Sequence, residues 1–310
     1  MNLRGQGPHP RRERGIALFQ VLVLTTLFAL LGLTFASEAR DKVAQAQALE
    51  NRVRAAFLAH SGQALALFYS LAPDAAARQR FPCEGSATAA PSSGAFNWHS
   101  APLCPAPGLR LSLQDFSGLL PLSAPSQPLW RPTLARLGFS EDEQDAFLGA
   151  LQDAQDRDQD GFRAGEREPG ALATGRRYAN GPLQRPSFLG ALTGDPERLR
   201  ALAPLTQRSG VVEFNPRFAP EPLLQAAYGD AQGSAFFAQR AQGDLDAGTL
   251  RRLAPRFEDP ELVSFRTSGS SYLRLSLEAT VDTGRQRQEV IVQLTPQDAP
   301  AFRVLQRLRP

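Results

Sequence analysis

The sequence predicts an α+β protein: a long N-terminal helix, membrane-spanning over its first part, packed on an antiparallel sheet that is interrupted by a large all-α insertion. That fold class rests on three features of the chain. Ile16 to Ala36 form 21 consecutive positions without a formal charge, and about 20 apolar helical residues cross the ~30 Å hydrocarbon core of a bilayer. From Glu38 to Tyr69 apolar residues recur every three or four positions, the helical period. Near the C-terminus the period changes to two, over Tyr272–Val281 and again over Val290–Leu294, as half-buried strands require.

The apolar run is preceded by Arg11, Arg12 and Arg14. Positive residues before a span keep its N-terminus in the cytoplasm and place the bulk of the chain outside. An ordinary secretory signal has a shorter apolar core followed by a small-residue cleavage site, whereas here Ala36-Ser37-Glu38-Ala39 passes straight into a charged helical pattern. The span alone is compatible with an uncleaved signal anchor. Gly15 followed by Ile16-Ala17-Leu18-Phe19 resembles the class III signal of type IV pilins and type II secretion pseudopilins. That resemblance implies cleavage after Gly15 by prepilin peptidase, with Ile16 opening a retained apolar helix. The glutamate usual at the fifth mature position of these proteins is Gln20 here.

With 310 residues, 42% of them hydrophobic, the chain can build a packed core outside the membrane. The formal charge of +3 comes almost entirely from arginines scattered among acids, since Lys42 is the only lysine. No patch interleaves arginines with aromatics, which argues against nucleic-acid binding. Cys83 and Cys104 flank a segment rich in Pro, Ser and Gly, and export would allow them to form a loop disulfide. These two cysteines and His9, His60 and His99 are too dispersed for a Cys/His metal cluster.

Along the extramembrane helix the apolar positions are Val43, Ala46, Leu49, Val53, Phe57, Ala64 and Phe68. Such a face belongs either to a core-facing helix or to one that packs a sheet on one side and other helices on another. Leu71-Ala72-Pro73 ends it, because proline cannot continue the hydrogen bonding. Residues 74–108 are turn-rich, Gly108–Leu113 alternates like a strand, and Gln114-Asp115 with Gly118 breaks it. A proline-rich connection, Leu120 to Pro132, leads to a helix over about 141–154, announced by the capping box Ser140…Glu143.

The most chemically loaded stretch follows. Asp156, Asp158 and Asp160 alternate ahead of Gly161, a pattern that lets a short loop wrap oxygens around calcium. Arg167 occupies the twelfth loop position, where an EF-hand has glutamate, so Glu166 or Glu168 would reach in only with altered geometry. The other interpretation is a solvated acidic loop offset by Arg157, Arg163 and Arg167. Repulsion among close carboxylates favours the metal. A glycosidase pair is poorly supported, since an alternating loop keeps its acids wet. A serine hydrolase is poorly supported too, because no Gly-x-Ser-x-Gly elbow occurs. The chain is therefore expected to be noncatalytic.

Downstream come Tyr178-Ala-Asn180-Gly-Pro182-Leu183, a short helix from Ser187 to Leu192 before Gly194, and Val211-Val-Glu-Phe-Asn215. Together with Asp153-x-x-Asp156-x-Asp158 and the leader, they resemble the K-type minor pseudopilins of type II secretion systems, the GspK family, over nearly the full length. Ala154 stands where that family usually has tryptophan, Phe188 where it has glutamate, and Asn215-Pro216-Arg217 replaces its Asn-Thr-Ala, so this is a divergent member; Gln20 fits the K type. The resemblance implies a pilin-like fold and a noncatalytic subunit at the tip of the periplasmic pseudopilus that helps initiate assembly. It also implies I- and J-type minor pseudopilins, the major pseudopilin, the inner-membrane assembly platform and prepilin peptidase as partners. Calcium in the acidic loop would be held by Asp156, Asp158, Asp160 and Glu166.

Short helices are expected at Leu223–Tyr228, Ala235–Ala241 and Leu245–Leu253, separated by Gly229, Gly233 and Gly243. Asp282-Thr-Gly284 marks a hairpin, and Phe302–Leu308 adds a last strand. The resulting division is a leader at 1–15, a span at 16–36, the helix and first part of the sheet at 37–120, the all-α insertion at 121–258 and the closing strands at 259–310. A type IV minor pilin, or a signal-anchored periplasmic enzyme or calcium-binding module, are the other functions such a chain would suit.

Overall fold

The computed structural model describes residues 13–83, 95–123, 125, 127–155, 181, 189–193, 195–242 and 269–308. Helix α1 runs from Glu13 to Leu71, about 90 Å at 1.5 Å per residue. Its hydroxyls are satisfied locally, Thr25, Thr26 and Thr34 each donating to a carbonyl three or four residues back. Pro73 ends it and opens the short α2, Pro73–Arg78, where a missing amide costs nothing because first-turn amides have no intrahelical partner.

Then come β1 (Leu103–Ala106) and β2 (Leu109–Asp115). The latter continues through Gln114 and Asp115, which sequence patterning had ending the strand. After a 3-10 turn, β3 (Leu120–Pro121) pairs in parallel with β4 (Thr206–Gln207). Between and after them stand α3 (Gln127–Arg136), α4 (Glu141–Asp153), α5 (Leu189–Thr193), α6 (Pro196–Leu202), α7 (Glu221–Tyr228) and α8 (Asp230–Gln242). The chain closes with β5 (Tyr272–Val281), β6 (Gly284–Leu294) and β7 (Phe302–Leu308). One antiparallel sheet results, in the order β1-β2-β5-β6-β7. Neighbours β2 and β5, paired from Leu109↔Ala279 to Asp115↔Leu273, are thus joined through the whole helical insertion.

The insertion has its own core around Trp130, Phe147, Leu151, Phe214 and Phe236. Ser140 and Glu143 form the expected capping box on α4, hydroxyl to the Glu143 amide and carboxylate to the Ser140 amide. Helix α3 occupies part of the stretch expected to be a proline-rich connection: Pro128 falls in its first turn, leaving Pro132 as the proline inside the helix. Gly233 lies inside α8 rather than before it. A Cβ there would come within 2.7 Å of the Gln225 Cα, so the glycine serves the close crossing of α7 and α8.

Where the insertion meets the sheet, buried polar groups are aimed at backbone. The Asp115 carboxylate accepts from the amide (2.8 Å) and hydroxyl (2.6 Å) of Ser117 and from the amide of Ser270 (2.8 Å), clasping the chain where it leaves the sheet and where it returns. Gln114 donates to the Phe218 carbonyl at 2.8 Å, and Arg274 to the carbonyls of Pro204 at 3.0 Å and Thr206 at 2.6 Å. Burial pushes the Asp115 carboxyl up and the Arg274 guanidinium down, against the hydrogen bonds that hold the first and the Glu289 charge that holds the second.

Candidate assembly surface

The extramembrane half of α1 presents two unlike faces. Toward the sheet it turns Ala55, Ala59, Gln63, Ala66 and Leu67, all at most 4% exposed. Ala55 and Ala59 meet Leu109 and Ala279, and Ala66 and Leu67 meet Leu111, Leu113, Leu273, Leu275 and Leu277. Small side chains let backbone approach backbone: at the β5–β6 hairpin a Cβ on Gly284 would lie 2.4 Å from the Asn51 carbonyl. Only glycine leaves room for that contact.

On the opposite side lie the large apolar residues, and they are uncovered. Val43, Leu49, Val53, Phe57 and Phe68 are 57, 64, 46, 69 and 56% exposed, with exposed Ala46 and Ala64 among them. At 100° per residue, Val53, Phe57, Ala64 and Phe68 point away from the side that carries Ala55, Ala59 and Ala66. Covering this stripe would be worth on the order of 10 kcal/mol at about 1.5–3 kcal/mol for each large side chain.

Toward the N-terminus the stripe runs into the apolar segment. Within Ala17–Leu71 the helix is long and apolar enough to cross a membrane, with a mean hydropathy of 2.2 in a window that no part of the protein buries. Gly15 and Ile16 lie in the first turns of α1, and Gln20 is exposed between Phe19 and Val21. A carboxamide at that place brings no charge into an apolar helix contact, where an unpaired ion is costly.

Cys83 and Cys104 are joined by a disulfide with their Cα atoms 5.0 Å apart, and the Cys104 amide donates to the Phe81 carbonyl at 3.0 Å. The bridge ties edge strand β1 to the segment beyond α2. An aromatic seam runs beside it from Tyr69 through Phe96 and Trp98 to Phe218, with ring centroids 5.5, 6.3 and 5.7 Å apart. His99, next to Trp98, bridges antiparallel to Gln114, its imidazole pushed down to about 3 by burial and by the Arg240 charge.

Asp156, Asp158, Asp160 and Glu166 lie outside the described residues. The acidic stretch departs from Asp153, buried at the end of α4. Among the described residues no three His, Cys, Asp or Glu side chains gather as metal ligands would. Sequence patterning missed the inner alanine face and the polar joint of Gln114, Asp115 and Arg274. The available signal for the joint was polarity at the end of an otherwise alternating strand.

No protein-family model and no curated protein matches the sequence. Among solved structures the chain is similar to a chain of the GspK–GspI–GspJ complex from the type 2 secretion system of enterotoxigenic Escherichia coli. The TM-score is 0.54 and the identity 17%, over 86% of this chain and 99% of that one. The likeness is one of fold: a pilin-like helix and antiparallel sheet carrying a helical insertion.

Proposed function

We propose that the chain is a K-type minor pseudopilin of type II protein secretion, a noncatalytic subunit at the tip of the periplasmic pseudopilus that helps initiate its assembly. The observation that carries this proposal is the outward apolar stripe of α1, continuous with the apolar span and opposite the sheet. Such a stripe suits a helix that packs its sheet on one side and the helices of other anchored subunits on the other. Its partners are then the I- and J-type minor pseudopilins, the major pseudopilin and the inner-membrane assembly platform, and the chain sits in the inner membrane with its C-terminal part in the periplasm. The insertion supports a tip position. It leaves the sheet at Asp115, level with Ala66 and Leu67 and so at the end far from the span, where bulk does not obstruct subunits added beneath. Gln20 supports it as well, because a first subunit has no neighbour ahead whose amino terminus a glutamate would neutralise.

The test is co-expression with prepilin peptidase and sequencing of the mature N-terminus. Cleavage after Gly15, leaving Ile16 first, is the expected result, and an uncut chain overturns the proposal. We propose calcium binding by Asp156, Asp158, Asp160 and Glu166 separately. Calorimetry should give a heat of calcium binding that Asp156→Ala and Asp158→Ala abolish, and heats unchanged by both substitutions would dismiss the site.

A further inference from the structure

The sheet also has an outer face, turned away from α1, and its two halves differ. The half far from the membrane is covered by the insertion: Phe116, Tyr272, Ile291 and Val211 pack there, and Arg274 reaches across to Pro204 and Thr206. The near half is bare. It is the near half because Leu109 and Ala279 lie level with Ala55 and Ala59 of α1, and the hairpin beyond them abuts Asn51.

On this bare half two rows of side chains run across the strands, Arg110↔Glu278↔Arg287 and Ser112↔Ser276↔Glu289. They floor a groove of about 290 Å³ rimmed by Ser100 and Pro102. Its charges do not balance. Glu278 pairs with Arg285 and, at 3.7 Å, with Arg287, while Glu289 is engaged by the part-buried Arg274 at 3.5 Å. Arg110 forms no ion pair among the described residues. Around Glu278 thus stand three arginines, Arg110 and Arg287 in the groove and Arg285 beside it, next to a floor of serine hydroxyls.

We propose that this groove docks an acidic segment on the head of the next membrane-anchored, pilin-like subunit, an inference that rests on the assembly role proposed above. Carboxylates entering the groove would meet Arg110 and Arg287 at the two ends of one row, where guanidinium groups bind carboxylates in paired hydrogen bonds, and the hydroxyls of Ser112 and Ser276 in the other. The location fits a subunit beneath: in a filament built from the membrane the next head lies on the membrane side, and this is the membrane-side half of the outer face. Anionic lipid is the poorer occupant. Asn51, level with the hairpin, is 15 residues beyond Ala36, roughly 22 Å along the helix, and charges in physiological salt are screened over about 8 Å.

The experiment uses the full chain in detergent, with the I- and J-type subunits of the same secretion system as probes. Binding is measured between 50 and 500 mM salt, roughly the range over which surface attraction fades. For the double variant Arg110→Glu/Arg287→Glu the expected result is binding weakened about tenfold or more, with the salt dependence lost. Arg110→Gln, which removes a side chain free of ion pairs, should show the same effect in smaller degree, so the proposal stays testable if the double variant folds poorly. Should the wild-type chain bind neither probe, the assembly role itself falls and this inference with it. If the wild type binds and both variants bind equally well with the same salt slope, the groove is not the docking surface, while the assembly role stands. Vesicles of phosphatidylglycerol form a third arm: retention of the wild type but not of the variants, with subunit binding unchanged, would overturn the inference in favour of lipid.

Discussion

The two faces of α1 contain residues of the same apolar class and meet opposite fates. The inner face is alanine-rich and wholly covered, whereas the outer face carries Val43, Leu49, Val53, Phe57 and Phe68 and is open. Hydrophobic area alone would bury the second and expose the first. The sheet instead takes the face that lets it come close, since a helix seated at backbone distance gains many dispersion contacts along its length, and Leu109, Leu111, Leu275 and Leu277 supply the bulk from the sheet side. The large side chains of the helix are left uncovered.

Substitutions can break this comparison, and the largest effect is expected where backbone meets backbone. Gly284→Val places atoms against the Asn51 carbonyl and should cost about 3 kcal/mol, read as a lowered thermal midpoint; an unchanged midpoint would mean the hairpin does not seat on α1. Ala59→Leu, on the fully buried side, should cost roughly 2 kcal/mol by overpacking, measured by denaturant unfolding.

Acid tests the joint between the sheet and the insertion instead. The folded state holds the His99 imidazole down to about 3 from 6.5, so the unfolded chain binds the extra proton between those values. The stability due to neutral His99 is complete above pH 6.5 and is lost as pH falls toward 3. Asp115 works in the other sense: its raised carboxyl favours the protonated folded state, and that contribution is lost as pH rises above the ordinary value of 3.8. Between pH 6.5 and 4.5 the His99 share should be about 2 kcal/mol, and His99→Gln should flatten that limb of the stability profile. The smallest effect on stability belongs to the outer face. Phe57→Ser should change unfolding by less than about 0.5 kcal/mol while weakening co-purification with the I- and J-type subunits, and a large loss of stability there would abolish the distinction between the faces.

Much of the fold was legible because it is local. The charge-free run gives a helix long and apolar enough to cross a membrane, Ser140 and Glu143 cap α4 through four adjacent residues, and the alternation of Tyr272–Val281 survives intact as β5. Elements that depend on distant partners were not legible. Strand β1 lies in a stretch dominated by turn residues and exists because β2 and the Cys83–Cys104 bridge hold it. The two-residue ladder of β3 and β4 joins segments more than eighty residues apart.

By itself the sequence determined that α1 is one long helix with an apolar stripe, that an antiparallel sheet follows, and that arginines precede the apolar run. Periodicity and charge are properties of neighbours along the chain, so they can be read there. Tertiary structure alone decided which side of α1 the sheet covers, that Asp115 clasps the insertion, and that Arg110 and Arg287 share one face with Glu278 between them. Those outcomes depend on strand register, and register brings together residues that no local pattern relates.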